Sequence, residues 1–234
     1  MKILGLDSSG LVASVAVVED DNLCAEYTVN FKKTHSQTLL PMLDVIADMI
    51  QLDLNTVDGI AVAAGPGSFT GLRIGSATAK GLGFALQKSL LAVPTLDALA
   101  YNLFDANALV CPIMDARRNQ VYTGIYTYEK HQLKVLRDSD ALDIHQLIQE
   151  LNQMNQDVIF LGDGVAVYRD VIDAELTVSH TYAPAHCNKQ RASAVAALGL
   201  EYMKRENTVS AADFQPDYLR KSQAEREREE REQA

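Results

Sequence analysis

The sequence predicts an α/β protein built twice over, with two mixed sheets and flanking helices. Three observations predict it. Ile3 to Asp7 and Leu109 to Met114 are apolar runs of strand length, and each leads through an aspartate, Asp7 or Asp115, toward a hairpin. In each half a helix and a further short strand follow, ending in a glycine loop, Gly65-Pro66-Gly67 or Gly162-Asp163-Gly164. A helical segment begins after each loop. The halves share this order of elements and not residue identity. At 234 residues the chain has room for one large domain or two small ones.

In the first half, Val12 to Val18 and Leu23 to Asn30 are strands joined by the turn Asp20-Asp21-Asn22. Lys32-Lys33-Thr34-His35 is a polar loop, in which His35 contacts a partner or is simply solvated. Ser36 starts a helix to about Ile50, with Pro41 tolerated in its first turn and Leu39, Leu43, Ile46 and Ile50 as its apolar stripe. Ile60 to Ala64 is a strand, and Ser68 caps a helix over 69–87. Leu90 to Val93 is the next strand, and Thr95 caps a helix to about Phe104.

In the second half, Val121 to Tyr128 and Leu133 to Leu136 are strands around the turn Glu129-Lys130-His131. Asp143 caps a helix to about Met154, Val158 to Leu161 is a strand, and a helical turn follows Gly164. Residues 191–205 read as an amphipathic helix with Val195, Leu198 and Tyr202 on one face. Pro216 to Arg220 reads as an ordered strap anchored by Tyr218 and Leu219, and the rest is a charged tail, helical or disordered. The expected units are 1–104, 105–219 and the tail 220–234.

The helix over 69–87 has an unusual composition. Gly71, Gly75, Ala79 and Gly83 recur every fourth residue and form one ridge. The interior glycines Gly75, Gly81 and Gly83 together cost about 3 kcal/mol of helix propensity. Close approach of another backbone offsets such a cost, so the ridge meets another element of this chain or a partner. The loop before it lacks G-x-x-x-x-G-K-[ST], and its G-x-G-x-x-x-G spacing is not the dinucleotide fingerprint. Alone it is weak support for a nucleotide.

Composition narrows the classes further. The chain is 47% hydrophobic, yet no apolar run is long enough to span a bilayer, and Met1-Lys2 leads straight into a strand without a secretory signal. Cys24, Cys111 and Cys187 are far apart and read as buried thiols in a reducing cytosol. Net charge is −10, and the tail from Arg220 holds five basic and five acidic residues, so the body carries all of it. Such a surface repels a phosphate backbone and favours basic protein partners. The five histidines contain no H-x-x-x-H pair. Arg117-Arg118 faces an acidic partner or forms a solvated turn.

Two halves that each open with a strand, an aspartate and a hairpin resemble the actin-like (ribonuclease H-like) ATPase superfamily. I-L-G-L-D-S-S at 3–9, K-T-H-S-Q-x-L-L-P at 33–41, G-P-G-S-F-T-G-L-R-I-G at 65–75, V-P-T-L-D-A-L-A at 93–100 and P-D-Y-L-R at 216–220 resemble the TsaB (YeaZ) family. The resemblance implies a cytoplasmic, non-catalytic subunit for making threonylcarbamoyladenosine on transfer RNA. It implies pairing with the catalytic paralogue TsaD and with the ATPase TsaE, or with itself when TsaD is absent, and contact with transfer RNA only through these partners. It also implies an interface on the two N-terminal helices, at Leu39, Leu43, Ile46, Gly71, Ile74, Gly75, Thr78, Ala79, Leu82 and Gly83. TsaD carries two metal-binding histidines four residues apart, and Thr95 and Leu99 stand at those positions here. The resemblance thus implies no catalytic residue, no cofactor and no metal. The alternative is an actin-like ATPase or small-molecule kinase using Asp7 and the glycine loops.

Overall fold

The computed structural model describes residues 1–31 and 35–219. The loop residues 32–34 and the charged tail 220–234 lie outside the described residues, and the sequence-based expectations for them go no further.

The duplication is visible in two five-stranded sheets of one design. The first has β1 (Lys2–Asp7), β2 (Ala13–Glu19), β3 (Asn22–Val29), β4 (Gly59–Gly65) and β5 (Leu90–Pro94), in the order β3-β2-β1-β4-β5. The second has β6 (Leu109–Arg117), β7 (Gln120–Glu129), β8 (Gln132–Asp143), β9 (Val158–Leu161) and β10 (His180–Tyr182), in the order β10-β9-β6-β7-β8. In each, the hairpin strands pair antiparallel and the later strands pair parallel to the central one. Central strands covered on both faces read as apolar runs, as β1, β4 and β6 do.

Helices α1 (Leu39–Met49) and α2 (Phe69–Leu86) cover one face of the first sheet. Pro41 sits in the first turn of α1, where its missing N–H costs nothing. Leu39, Leu43 and Ile46 are buried with Met42, whereas Ile50 falls past the last turn and stays exposed. Helix α2 starts where expected, with Ser68 Oγ accepting from Gly71 N–H, and it ends at Gln87 in the left-handed conformation. Helices α4 (Ile144–Met154) and α5 (Val165–Glu175) cover the equivalent face of the second sheet. The other two faces are covered by α3 (Thr95–Tyr101), which lies between the sheets with Leu96, Leu99 and Ala100 on the second and Ala98 toward the first, and by α6 (Ala192–Lys204), which packs on the first. Helix α6 comes so near that a Cβ on Gly5 would strike the Ala192 carbonyl, and one on Gly199 would lie 2.5 Å from Ala61.

Several expectations need correction. The expected unit 105–219 does not pack as one piece, because α6 and residues 209–217 return to the first lobe. Thr95 opens α3 but makes no capping bond. The strand expected over 133–136 runs twelve residues as β8, because backbone pairing with β7 holds an edge strand whose charged residues break its apolar pattern. The helical turn expected after Gly164 is eleven residues long, and the three-residue strand β10, which no apolar run announces, follows it.

The glycine ridge is filled from inside the chain, one of the two alternatives its spacing leaves open. A Cβ on Gly71 would strike the Ser8 carbonyl, one on Gly75 would sit 2.6 Å from Ser8 Oγ, and one on Gly83 would sit 3.0 Å from Ala211 Cβ. Ser8 Oγ also donates to the Gly71 carbonyl at 2.8 Å. Of the expected interface residues, Leu39, Leu43, Ile46, Gly71, Gly75, Ala79 and Gly83 are therefore buried within this chain. Ile74, Thr78 and Leu82 are half-buried on the shoulder of α2. Gly71→Ala should lower stability by about 2 kcal/mol through overpacking. Urea denaturation of the isolated chain measures this, and an unchanged midpoint would show that the loop yields.

Candidate functional site

Between the lobes lies a cleft of about 720 Å³. The first lobe lines it with the loop Ser9-Gly10-Leu11, His35 and the start of α2, and the second with Asp115, Arg117, Asp163 and Lys189. Tyr218 and Leu219 close one side.

Asp7 ends β1 at the base of this region and is 1% exposed. Its Oδ1 accepts from Ser9 N–H at 2.9 Å and from Ser9 Oγ at 2.7 Å. Its Oδ2 has no partner among the described residues, and neither do His35 Nδ1 and the Gln190 side-chain amide. His35 is not a solvated loop histidine, since Nε2 lies 2.8 Å from the Gly10 carbonyl. Asp115, the counterpart of Asp7, accepts from Arg117 N–H at 2.9 Å and pairs with the Arg117 guanidinium at 3.1 Å. Arg117, Arg118 and Asn119 are all left-handed, which tightens that turn. Burial pushes the Asp163 carboxyl up.

The loop between β1 and β2 is tied down on both sides. The Ser9 amide is tied to Asp7, and Ser8 Oγ is tied to α2. The Ser9 carbonyl fills the space in front of Gly67 and accepts from Ser68 N–H at 2.6 Å. Asp7 and Asp115 each accept a hydrogen bond from the amide two residues on.

Burial pushes the Asp7 carboxyl up to about 6, against the opposing pulls of the Ser9 bonds and His35. A folded-state value above the ordinary one means that the folded state binds the proton more tightly. Stability is then greatest below about 4 and falls as pH rises through about 6, by about 3 kcal/mol if Asp7 acts alone. Asp7→Asn keeps an acceptor for Ser9 and removes the charge. It should raise the melting temperature at pH 7 and leave it little changed at pH 4, which calorimetric scans at both values measure.

The outer side of α1 and α2 presents a different surface. On α1, Leu40, Val45 and Met49 are exposed, Met49 to 81%, with Asp44 and Asp48 beside them. On α2, Phe84 is 62% exposed, next to the exposed row Arg73, Ala77, Gly81 and Ala85. A Cβ on Gly81 would meet nothing within 4 Å. This row has the same four-residue spacing as the buried ridge but is offset by two residues, about 200° around the helix. Spacing showed the buried ridge, and the exposure of Ala77, Gly81 and Ala85 adds a second small row on the other side of the helix.

A family model described as TsaD, tRNA N6-adenosine threonylcarbamoyltransferase, matches residues 23–228. The tRNA threonylcarbamoyladenosine biosynthesis protein TsaB of Bacillus subtilis is 32% identical, the match covering 96% of each chain. TsaB of Haemophilus influenzae is 31% identical over 94% of each. A crystal structure described as an uncharacterized protein with similarity to peptidase YeaZ, from Pseudomonas aeruginosa, superposes with a TM-score of 0.80 at 27% identity, covering 94% of this chain and 99% of that one. With two sheets of one topology meeting at a cleft, these likenesses identify the fold as the duplicated actin-like one, and the chain belongs to the TsaB (YeaZ) family.

Proposed function

We propose that this chain is a non-catalytic scaffold in the synthesis of threonylcarbamoyladenosine on transfer RNA, and that the outer face of α1 and α2 docks a TsaD-type paralogue. The observation that carries the proposal is exposed apolar surface on both helices: Phe84 of α2 beside the small row of Ala77, Gly81 and Ala85, and Val45 and Met49 of α1. An exposed apolar patch beside small residues suits a helix packed closely against it. Asp44 and Asp48 at its edge suit a partner with a basic fringe. The names of the TsaB relatives support the pathway, and the match to a transferase model suits a paralogue of the catalytic subunit.

The non-catalytic part rests on Thr95 and Leu99, which are buried and offer no imidazole where the transferase holds its metal. In this reading TsaE joins the pair, and a second copy of the chain takes the same face when TsaD is absent, giving a two-fold dimer. The reading places the chain in the cytoplasm, and its charge of −10 leaves transfer RNA to its partners. The competing reading, an ATPase or kinase, has the closed Asp7 loop against it. Absence of heat on titrating ADP or ATP with magnesium would remove it.

Phe84→Asp and Gly81→Glu should each weaken pairing with the TsaD paralogue of the same organism by about 30-fold or more. The melting temperature of the free chain should stay within about 2 °C, because both positions are exposed. Sedimentation measures the pairing, and a modification assay with each component omitted measures the need for it. Unchanged pairing in both variants, or transfer by this chain alone, would overturn the proposal.

A further inference from the structure

The segment after α6 runs the length of α2 in the opposite direction. At the far end Ala211 fills the space beside Gly83. Lys80 Nζ then donates to the carbonyls of Ala212 and Phe214, at 3.1 and 3.0 Å. Asp217 N–H donates to the Ala64 carbonyl at 2.7 Å, and its own carbonyl occupies the side-chain space of Gly65. Finally the Tyr218 ring lies 4.6 Å from that of Phe69, over which the Arg73 guanidinium sits at 4.1 Å. Residues 210–214 make a tight turn, with Phe214 N–H donating to the Ser210 carbonyl at 3.0 Å, and the chain continues from there to Tyr218.

The inner side of α2 is held at the first turn by the Ser8 contact, and the strap braces the same turn from the other side through Phe69. The stack Tyr218–Phe69–Arg73 leads from the strap to the first member of the exposed row, so it links the strap directly to the docking surface. We infer that Tyr218 is a positioning residue: its ring holds the first turn of α2, and with it the outer row, in the orientation that a partner meets. The inference rests on the docking role proposed above.

The test compares Tyr218→Ala and Tyr218→Phe in the full chain, with Phe84→Asp alongside. Tyr218→Ala should weaken pairing with the TsaD paralogue about tenfold. Tyr218→Phe should restore it, because the ring makes the contact. In the free Tyr218→Ala chain, amide hydrogen exchange should quicken at 69–73 and not at 39–49. Should that variant fail to fold, Tyr218→Leu, which keeps apolar cover without the aromatic stack, takes its place. Normal pairing by the Ala or Leu variant, while Phe84→Asp pairs poorly, would overturn the positioning role and leave the docking role standing. Normal pairing by Phe84→Asp as well would overturn both.

Discussion

The contact between the β1–β2 loop and the start of α2 governs the rest of the molecule. Ser8 and Ser9 occupy the space that Gly67, Gly71 and Gly75 leave empty, and Ser8 Oγ and the Ser9 carbonyl bond to backbone of that region. A larger residue on the inner row would lift the helix off the sheet. Helix propensity is given up for a backbone-to-backbone fit, and dispersion and hydrogen bonding across that fit offset the loss.

A second consequence is electrostatic. Closing the loop buries Asp7 with one carboxylate oxygen bonded to Ser9 and the other without a partner among the described residues. Glu26 shows the opposite solution. Its carboxylate is also largely buried, but it is bonded by the Arg191 guanidinium and by Ser193, and these bonds hold its pKa below the ordinary range despite the burial. The two carboxylates differ in whether the fold supplies a cation, and only Glu26 ties α6 to the first sheet.

Much of the architecture was legible because strands covered on both faces carry unbroken apolar runs, and because Ser68 and Asp143 cap helices by a short-range bond. What escaped depends on contacts distant in sequence. Strand β8 is charged and is held by pairing with β7, and β10 is three residues long. The lobe change of α6 and the place of α3 between the sheets are invisible to periodicity, which shows an apolar face and not what covers it. The candidate surface was half legible. On α2 the ridge of Gly71, Gly75, Ala79 and Gly83 is compatible by spacing with a neighbour inside the chain or outside it, and the fold turns it inward. Gly81, with open space in front of it, carries the clearest signal, and only coordinates distinguish it from Gly83.

The lobe change of α6 also bears on synthesis at the ribosome. Residues Ile3, Ala61, Leu91 and Val93 form one apolar face of the first sheet, and that face waits for Val195, Ala196 and Leu198. The amino-terminal sheet therefore stays half-finished until some two hundred residues have been translated. Meanwhile the second lobe, whose helices all precede residue 176, has everything it needs except β10. The usual vectorial order is inverted here: the part made first is completed last.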